Sequence, residues 1–373
     1  MSGAALRVVV TGGGVAGLET LVALRELAGD RVALTLIAPE DEFVYRPLSV
    51  EEPFAVGRLR SVGLQRAAHG AGADFVPATI EAVDPGARTV STSAGDELAF
   101  DALVLAVGAE AMPAVDHALT WDDRSDSEVL GGLMEDIEQG YTQSVAVLIP
   151  PGPGWPLRGY ELALLIMRQA KSMWAELRTT VVRPDPPPLL ALGEHAVGAV
   201  RQELDRAGIG VVSADYVSVE PGHPMVVVLQ PSGERIEVNR ALAMPILRGR
   251  PVEGVPVDGH GLIEVDEHCR VSGLEHVWAV GDCTAFPVKA GGVSAAQADV
   301  AAEDIAALAG APIEPRLFQA ELGRELAGLP AGRFLEKSLG VEEEGLAMHL
   351  PTAGVPVLSY LEKDLAAGWR GYG

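Results

Sequence analysis

Short apolar runs and stretches with helical periodicity alternate along most of this chain. Leu6–Thr11 is an apolar, β-branched run typical of a buried strand, and the apolar positions between Leu18 and Leu27 fall on roughly one face of a helix. A second β-type run occupies residues 31–37. The pattern therefore predicts a strand, a helix and a strand within about 30 residues, the opening unit of a doubly wound α/β domain.

Further along the chain, the same kinds of pattern recur. Apolar strand-like runs occupy residues 103–108, 144–149, 179–182 and 276–282, and an alanine-rich helical pattern begins after Gly292. Residues 213–238 favour a β-meander with turns at Pro221-Gly222 and Ser232-Gly233. The whole predicts an α/β protein with two Rossmann-like units.

The first strand ends in a glycine-rich loop at residues 12–17, with Val15 and Ala16 between the glycines. Gly12 would make the tight turn, Gly14 would let a pyrophosphate approach the backbone, and Gly17 would let the helix pack closely on the strand. The helix N-terminus would then offer unpaired N–H groups and a partial positive charge to the phosphates. This loop predicts a dinucleotide site.

The acidic residue expected about 20 residues on, for the ribose hydroxyls, is replaced by Ala38. Glu40 lies two residues later, after Pro39. Either Glu40 binds the ribose from a displaced position, or it is a solvated loop acid and the adenosine end is held differently.

Three ordered motifs resemble those of the FAD/NAD(P)-dependent pyridine nucleotide oxidoreductases, flavoproteins with two dinucleotide-binding domains. These are the loop at residues 12–17, the strand end Ala106-Val107-Gly108 and the segment that closes on Gly281-Asp282. The resemblance implies that Asp282 binds the ribityl chain of FAD. Val107 departs from the pattern, since relatives usually carry Thr there.

The closest resemblance is to the branch that holds type II NADH dehydrogenases and sulfide:quinone reductase-like proteins, especially its soluble actinobacterial members. Residues 43–48, which include Arg46 and Pro47, and residues 287–293 carry this likeness. The likeness implies that Gly291 and Gly292 open a helix at the pyrimidine edge of the flavin, where the helix dipole would stabilise negative charge. Lys289, the candidate catalytic residue, would add to that charge stabilisation or would be a surface residue.

The predicted FAD-binding set gathers the residues of these motifs with one further residue, Ile80. It consists of Gly12, Gly14, Val15, Ala16, Gly17, Pro39, Glu40, Arg46, Pro47, Ile80, Ala106, Val107, Gly108, Gly281, Asp282, Lys289, Gly291 and Gly292.

A second glycine-rich loop follows residues 144–149, where relatives bind NAD(P)H, but it is altered. Aligning Gly159-x-Glu161 with the end of the motif puts Gly154 first and Pro156 second. A proline adds bulk and lacks an N–H where close phosphate approach is needed. NAD(P)H binding is therefore doubtful, and a repurposed or vestigial domain is the alternative.

Arg183 ends the next predicted strand, where a guanidinium could bind the 2′-phosphate of NADPH. The candidate NAD(P) residues are thus Gly154, Gly159, Glu161 and Arg183. Three nearby aromatic residues are either core residues or pocket-lining residues, namely Trp155, Tyr160 and Trp174.

The chain has two cysteines, Cys269 and Cys283. Flavin disulfide reductases need a reactive thiolate against the flavin, and in relatives the cysteines lie near residues 45–49 or in a middle-domain C-x-x-C. Neither region contains Cys here. Cys269 is expected in an alternating strand as a core residue, and Cys283 near the cofactor. Disulfide and sulfide chemistry are thus disfavoured.

The predicted function is an FAD-dependent oxidoreductase that passes a hydride or electron pair through non-covalent FAD to a quinone, oxygen or a carrier. The alternative is an FAD-binding module whose vestigial NAD(P) domain serves partner binding or redox sensing. Small-molecule donors and acceptors are the expected partners, and a homodimer is left open.

The net charge of −24 disfavours binding to nucleic acid or to an anionic membrane surface. No apolar run of transmembrane length occurs, and the N-terminus lacks the basic and apolar regions of a signal peptide. Together with two cysteines, these features predict a cytoplasmic protein. No spacing of His and Cys residues indicates a metal site.

The motif order predicts a discontinuous first domain. Residues 1–112 and 241–312 would bind FAD, residues 113–240 would form the inserted NAD(P)-type domain, and residues 313–373 would form a small C-terminal cap.

Overall fold

The computed structural model describes residues 4–45, 60–121, 126–154, 157–192 and 194–318. Three residues of the predicted sites, Arg46, Pro47 and Pro156, lie outside these ranges, as does Trp155. Most of the predicted cap, from residue 319 onwards, also lies outside them.

Twenty strands and six helices are formed by the described residues. The strands are β1 Leu6–Thr11, β2 Val32–Ile37, β3 Glu42–Tyr45, β4 Arg60–Gly63, β5 Ala73–Val76, β6 Ile80–Asp84, β7 Thr89–Thr92, β8 Glu97–Ala99, β9 Ala102–Leu105, β10 Ala109–Met112, β11 Leu119–Thr120, β12 Ser144–Leu148, β13 Arg178–Arg183, β14 Gly210–Ser213, β15 Tyr216–Glu220, β16 Met225–Gln230, β17 Arg235–Val238, β18 Arg240–Ala243, β19 Ile246–Gly249 and β20 Val277–Ala279. The helices are α1 Val15–Ala28, α2 Leu64–Gly70, α3 Asp126–Glu138, α4 Arg158–Ser172, α5 Glu194–Ala207 and α6 Gly291–Leu308.

The first sheet is parallel, with strand order β20-β9-β1-β2-β5. Helices α1 and α6 pack against each other, and their apolar side chains form one core with those of β1, β2 and β9. The alternate residues of these strands, such as Val9, Leu103 and Leu105, point into a second core, which also contains Phe100 and Ile80. Burial on both faces explains why β9 and β20 are apolar at every position rather than alternating.

The second sheet is also parallel, with strand order β11-β18-β12-β13-β14. One face packs against α3, α4 and α5. On the opposite face of the sheet, Ala146 and Leu148 form a separate core with residues of the antiparallel strands β15, β16 and β17. The predicted β-meander is therefore confirmed, as is the α/β class with two Rossmann-like sheets.

An antiparallel pair, β10 with β19, lies where the chain enters and leaves the second sheet. Strand β18 belongs to the second sheet and ends at Ala243. The second sheet thus reaches three residues beyond the domain limit of 240 expected from the sequence.

Two local expectations were wrong. Cys269 lies in a tight turn with φ +62° rather than in a regular strand, because the side chain and main chain of Asp266 bond the residues of that turn. Trp174 is 94% exposed, since it follows the C-terminal end of α4, so it is neither a core residue nor one enclosed by a pocket. Tyr160 is buried, as expected if it is a core residue, the first of the two alternatives given for it.

Within the described ranges, no helix has the length and apolar character needed to cross a membrane.

Candidate functional site

The first glycine-rich loop has the close contacts that its sequence predicts. Gly12 has φ +101°, and a Cβ there would lie 2.2 Å from the carbonyl oxygen of Ala106. A Cβ at Gly17 would lie 1.9 Å from the carbonyl oxygen of Gly12. Only glycine fits these two positions, because any side chain would collide with main-chain atoms.

Gly14 differs from its neighbours because it faces open space. It is exposed, and no atom of the described residues lies within 4 Å of a Cβ built on it. It is also the N-cap residue of α1, and no side chain in the described part of the chain caps that helix. The first-turn N–H groups of α1, from Val15 and Ala16 onwards, therefore remain for an anion at the exposed side of the loop.

A second motif lies beside this loop at the carboxyl edge of the first sheet. The main-chain N–H of Val280, just after β20, donates to the carbonyl oxygen of Leu105 at 3.0 Å. Gly281 has φ +80°, and a Cβ there would lie 3.0 Å from the Cβ of Ala16. The turn that carries the half-buried Asp282 thus packs directly on the first turn of α1.

Gln297 holds this turn from α6. Its Oε1 accepts a hydrogen bond from the N–H of Gly281 at 2.8 Å, and its Nε2 contacts the Thr284 hydroxyl at 3.3 Å. The Thr284 hydroxyl in turn donates to the carbonyl oxygen of Gly281 at 2.9 Å. Gln297 is 1% exposed and was missed from sequence. The signal that could have found it is a lone amide side chain on an alanine-rich, buried helix.

Lys289 is buried rather than at the surface, with 5% of its area exposed. Its Nζ donates to the carbonyl oxygen of Asp282 at 3.1 Å and to that of Thr284. Burial lowers the pKa of Lys289, and the nearby Asp282 carboxylate opposes that shift. The surface alternative is therefore wrong, and the side chain spans the turn that carries Asp282.

The start of α6 provides a second helix N-terminus near the same turn. Ala290 is its N-cap. Among the described residues no side chain caps this helix, and no atom lies within 4 Å of a Cβ built on Gly291. Gly292 is buried. An electron-rich ring edge at this end would be stabilised by the helix dipole.

The other described members of the predicted FAD set follow β9 or β2 of the first sheet, except for Ile80, which lies in the separate antiparallel sheet of β6, β7 and β8. Ala106 is buried after β9, Val107 is half-buried, and Gly108 has φ +68°. Ile80 is buried at the start of β6. Pro39 and Glu40 are exposed just after β2, so the ribose role of Glu40 stays a prediction.

Both cysteines are free and buried. The Cys283 thiol donates to the carbonyl oxygens of Leu105 and Val280, each at 3.3 Å. Burial raises the pKa of Cys283 to about 11 and raises that of Cys269 further. Both therefore stay protonated thiols near pH 7, which disfavours attack on a disulfide or a flavin.

The second glycine-rich loop keeps part of its expected geometry. A Cβ at Gly159 would lie 2.6 Å from the Cγ1 of Ile149, so this glycine lets α4 pack on the second sheet. Gly154 is bridged to Val288 of the segment that precedes α6. Its N–H donates to the carbonyl oxygen of Pro287, and its carbonyl oxygen accepts from the N–H of Lys289, each at 3.0 Å.

Glu161 and Tyr160, in the first turn of α4, are buried, and each has a polar side-chain atom with no hydrogen-bond partner among the described residues. Burial raises the pKa of Glu161 to about 8, while the charge of Arg158 opposes the shift. Burial likewise raises the pKa of Tyr160 to about 12. Glu161 is therefore mainly a neutral carboxylic acid at pH 7.

Arg183 ends β13, as predicted. Its guanidinium donates to the carbonyl oxygen of Pro184 at 2.9 Å and lies 3.5 Å from the Asp185 carboxylate. The exposed Asp185 carboxylate thus partly neutralises the positive charge of Arg183.

Among the described residues, no group of three or more His, Cys, Asp or Glu side chains could hold a metal ion.

Two helix N-termini without a side-chain cap in the described ranges and the Asp282 turn meet at the carboxyl edge of one doubly wound sheet, an arrangement typical of dinucleotide-binding proteins. The family model of the pyridine nucleotide-disulphide oxidoreductases matches residues 6–304. The chain belongs to this family, and it is an FAD-dependent oxidoreductase.

Similar proteins agree with this assignment. An NADH dehydrogenase-like protein of Mycobacterium tuberculosis is 30% identical over 75% of this chain and 73% of its own length. A sulfide-quinone reductase of Aquifex aeolicus is 22% identical over 76% of this chain and 69% of its own length. The solved structure of the Aquifex aeolicus sulfide:quinone oxidoreductase has the same fold, with a TM-score of 0.71 at 20% identity, over 83% of this chain and 78% of that one.

The described residues fit FAD on their own geometry. Gly14 leaves open space in front of an uncapped helix, Asp282 offers a carboxylate beside that loop, and Gly291 leaves open space at the second helix.

Proposed function

We propose that this protein binds FAD non-covalently at the carboxyl edge of the first sheet and passes an electron pair from a nicotinamide nucleotide to a small acceptor. FAD supplies the two-electron chemistry when it is bound. The observation that supports the proposal most strongly is the close approach of Gly281 to Ala16, since a Cβ built on Gly281 would lie 3.0 Å from the Cβ of Ala16. Two motifs that are 265 residues apart in the chain (281 − 16) therefore lie side by side, as one FAD site would require.

Each part of the site would have its own role toward FAD. The loop from Gly12 to Gly17 and the first turn of α1 would take the pyrophosphate. Asp282 would accept hydrogen bonds from the ribityl hydroxyls, and the N-terminus of α6 at Gly291 would stabilise charge at the flavin edge.

The donor is proposed to be NADH or NADPH. The name of the NADH dehydrogenase-like relative and the retained packing role of Gly159 support this donor. Pro156 argues for weak binding, because it offers no N–H to a phosphate. Replacing Pro156 by Gly is therefore expected to strengthen binding, by about 5- to 150-fold if an unpaired polar group is relieved.

The acceptor is proposed to be a quinone, oxygen or a carrier, reduced without a cysteine pair. The burial of Cys269 and Cys283 and their raised pKa values support this route.

The proposed division of labour follows the two sheets. Residues 1–112 and 244–312 would bind FAD, residues 113–243, which include all of β18, would bind the nicotinamide nucleotide, and residues 313–373 would cap the site. A cytoplasmic location is proposed as well.

Two measurements test the proposal. Heating the purified protein should release FAD into the supernatant, and steady-state oxidation of NADH or NADPH should proceed with a short-chain quinone, oxygen or an electron carrier. A protein that holds FAD but oxidises neither nucleotide would favour an FAD-binding module over this enzyme.

A further inference from the structure

Lys289 contacts both glycine-rich regions of the protein through different parts of the residue. Its ammonium group donates to the carbonyl oxygens of Asp282 and Thr284, on either side of the FAD-site turn. Its main-chain N–H donates to the carbonyl oxygen of Gly154 in the second glycine-rich loop, at 3.0 Å. One residue thus ties together the two loops that the family uses for two nucleotides.

The contact with Gly154 has two hydrogen bonds and a defined register. Gly154 pairs with Val288 as a parallel bridge, in which its N–H donates to Pro287 and its carbonyl oxygen accepts from Lys289. Val288 and Val293 are buried in the core of the second sheet. The segment between the Asp282 turn and α6 is therefore packed on the second domain.

The hydrogen bonds of the Lys289 ammonium group also hold the turn that carries Asp282 in place. A buried ammonium that donates to main-chain oxygens cannot leave them without losing its solvation, so the carbonyl groups of Asp282 and Thr284 are fixed relative to Lys289. Gln297 fixes the same turn from α6 through the N–H of Gly281. The turn is thereby held on the side that faces the second domain as well as on the side that faces α6.

We propose that Lys289 is a positioning residue that makes the FAD-site turn and the second glycine-rich loop one mechanical unit, so that each loop holds the other in its binding conformation. This inference rests on the proposed function, because it assumes that Asp282 serves FAD and that the Gly154 loop serves the nicotinamide nucleotide. Asp282 acts on the ligand, whereas Lys289 acts through Asp282 and Gly154.

The test compares Lys289→Met with Lys289→Arg and with Lys171→Met in the purified FAD-bound protein. Lys171 is a matched control, since its Nζ also donates to a main-chain oxygen, that of Ala207 at 3.1 Å, but on exposed surface. Release of FAD on dilution gives the dissociation constant. Hydrogen exchange in excess FAD gives the protection of the Gly154 amide.

Lys289→Met should weaken FAD binding by about tenfold or more, on the scale of a lost hydrogen bond to a charged group. It should also speed exchange at Gly154 and at residues 281–284 while β12 stays protected. Lys289→Arg should restore both readouts, and Lys171→Met should match the wild type. If Lys289→Met does not fold, Lys289→Gln, which keeps two N–H donors, takes its place. FAD binding should then be weaker than in the wild type and exchange at Gly154 faster, each by less than is expected for Lys289→Met, and wild-type values of both would overturn the proposal.

The proposal is overturned if Lys289→Met holds FAD as tightly as Lys171→Met. It is also overturned if exchange at Gly154 is unchanged, or if exchange rises throughout β12, which would indicate general destabilisation. These readouts need only FAD, so a failure of NADH and NADPH to reduce the flavin would count against the proposed donor alone.

Discussion

The N–H of Gly281 donates to the side-chain oxygen of Gln297 at 2.8 Å, and both residues are buried. Together with the bond from the Gln297 Nε2 to the Thr284 hydroxyl, this bond ties the turn that carries Asp282 to α6. We therefore expect Gln297 to influence FAD affinity, although it lies 15 residues after Asp282 in the chain.

Replacing Gln297 by Leu should therefore weaken FAD binding. The change leaves the buried N–H of Gly281 without a partner, at a cost of about 1–3 kcal/mol, which corresponds to about 5- to 150-fold in affinity. FAD release on dilution measures it. Gln139→Leu is the control, because Gln139 is exposed and bonds only Glu135 within the described residues. Equal FAD affinity in the two variants would contradict the role of Gln297.

Replacing Cys269 and Cys283 together by Ser should leave turnover within a few-fold of the wild type. Both thiols are buried, and the pKa of Cys283, at about 11, keeps it protonated near pH 7. The hydroxyl introduced by Cys283→Ser could still donate to the carbonyl oxygen of Leu105 or Val280, as the thiol does. A loss of about a hundredfold in a folded, FAD-loaded double variant would show that a thiol takes part in the reaction.

Glu161 should make stability depend on pH. Burial raises its pKa to about 8 in the folded protein from an ordinary value of 4.5. Between these two values the unfolded chain has lost the proton that the folded chain keeps, so the free energy of unfolding falls as pH rises. Glu161→Gln removes this titration, and its stability relative to wild type should increase across that window by up to about 1.4 kcal/mol per pH unit.

Thermal unfolding of wild type and Glu161→Gln at several pH values between about 5 and about 8 checks this expectation. Glu176→Gln is the control, since Glu176 is exposed. A difference between Glu161→Gln and wild type that is constant across the window would refute the raised pKa.

The features of this protein that could be predicted from its sequence are those that local patterns determine. Strands β1, β9 and β12 were predictable because apolar periodicity is a local property, and both glycine-rich loops were predictable from the spacing of their glycines. The loop at residues 12–17 and the Gly281-Asp282 segment could also be paired, since parallel strands end at one sheet edge.

Other features depended on contacts that no local pattern encodes. The burial of Lys289 arises from its bonds to Asp282 and Thr284, and the bridge to Gly154 arises from the packing of two domains. Cys269 looked like a strand residue because its neighbours alternate, yet Asp266 closes a tight turn around it. Trp174 looked like a core residue by its type alone, and its place after α4 decided its exposure.

Arg183 should decide between the two nicotinamide nucleotides. Its guanidinium lies at the end of β13, where a 2′-phosphate would meet it, and the Asp185 carboxylate lies 3.5 Å away. Arg183→Ala should weaken NADPH binding by about tenfold or more and leave NADH binding nearly unchanged. Asp185→Asn should strengthen NADPH binding, because it removes the competing charge. Equal losses for both nucleotides in Arg183→Ala titrations would contradict this assignment.

Anaerobic rapid mixing of the FAD-bound protein with NADH, and separately with NADPH, tests the central claim most directly, because it isolates electron entry from any acceptor. The account predicts that the flavin absorption bleaches with at least one of the two nucleotides and that Pro156→Gly reaches half-maximal rate at a lower nucleotide concentration. A flavin that stays oxidised with both nucleotides, in wild type and in Pro156→Gly alike, would contradict the account.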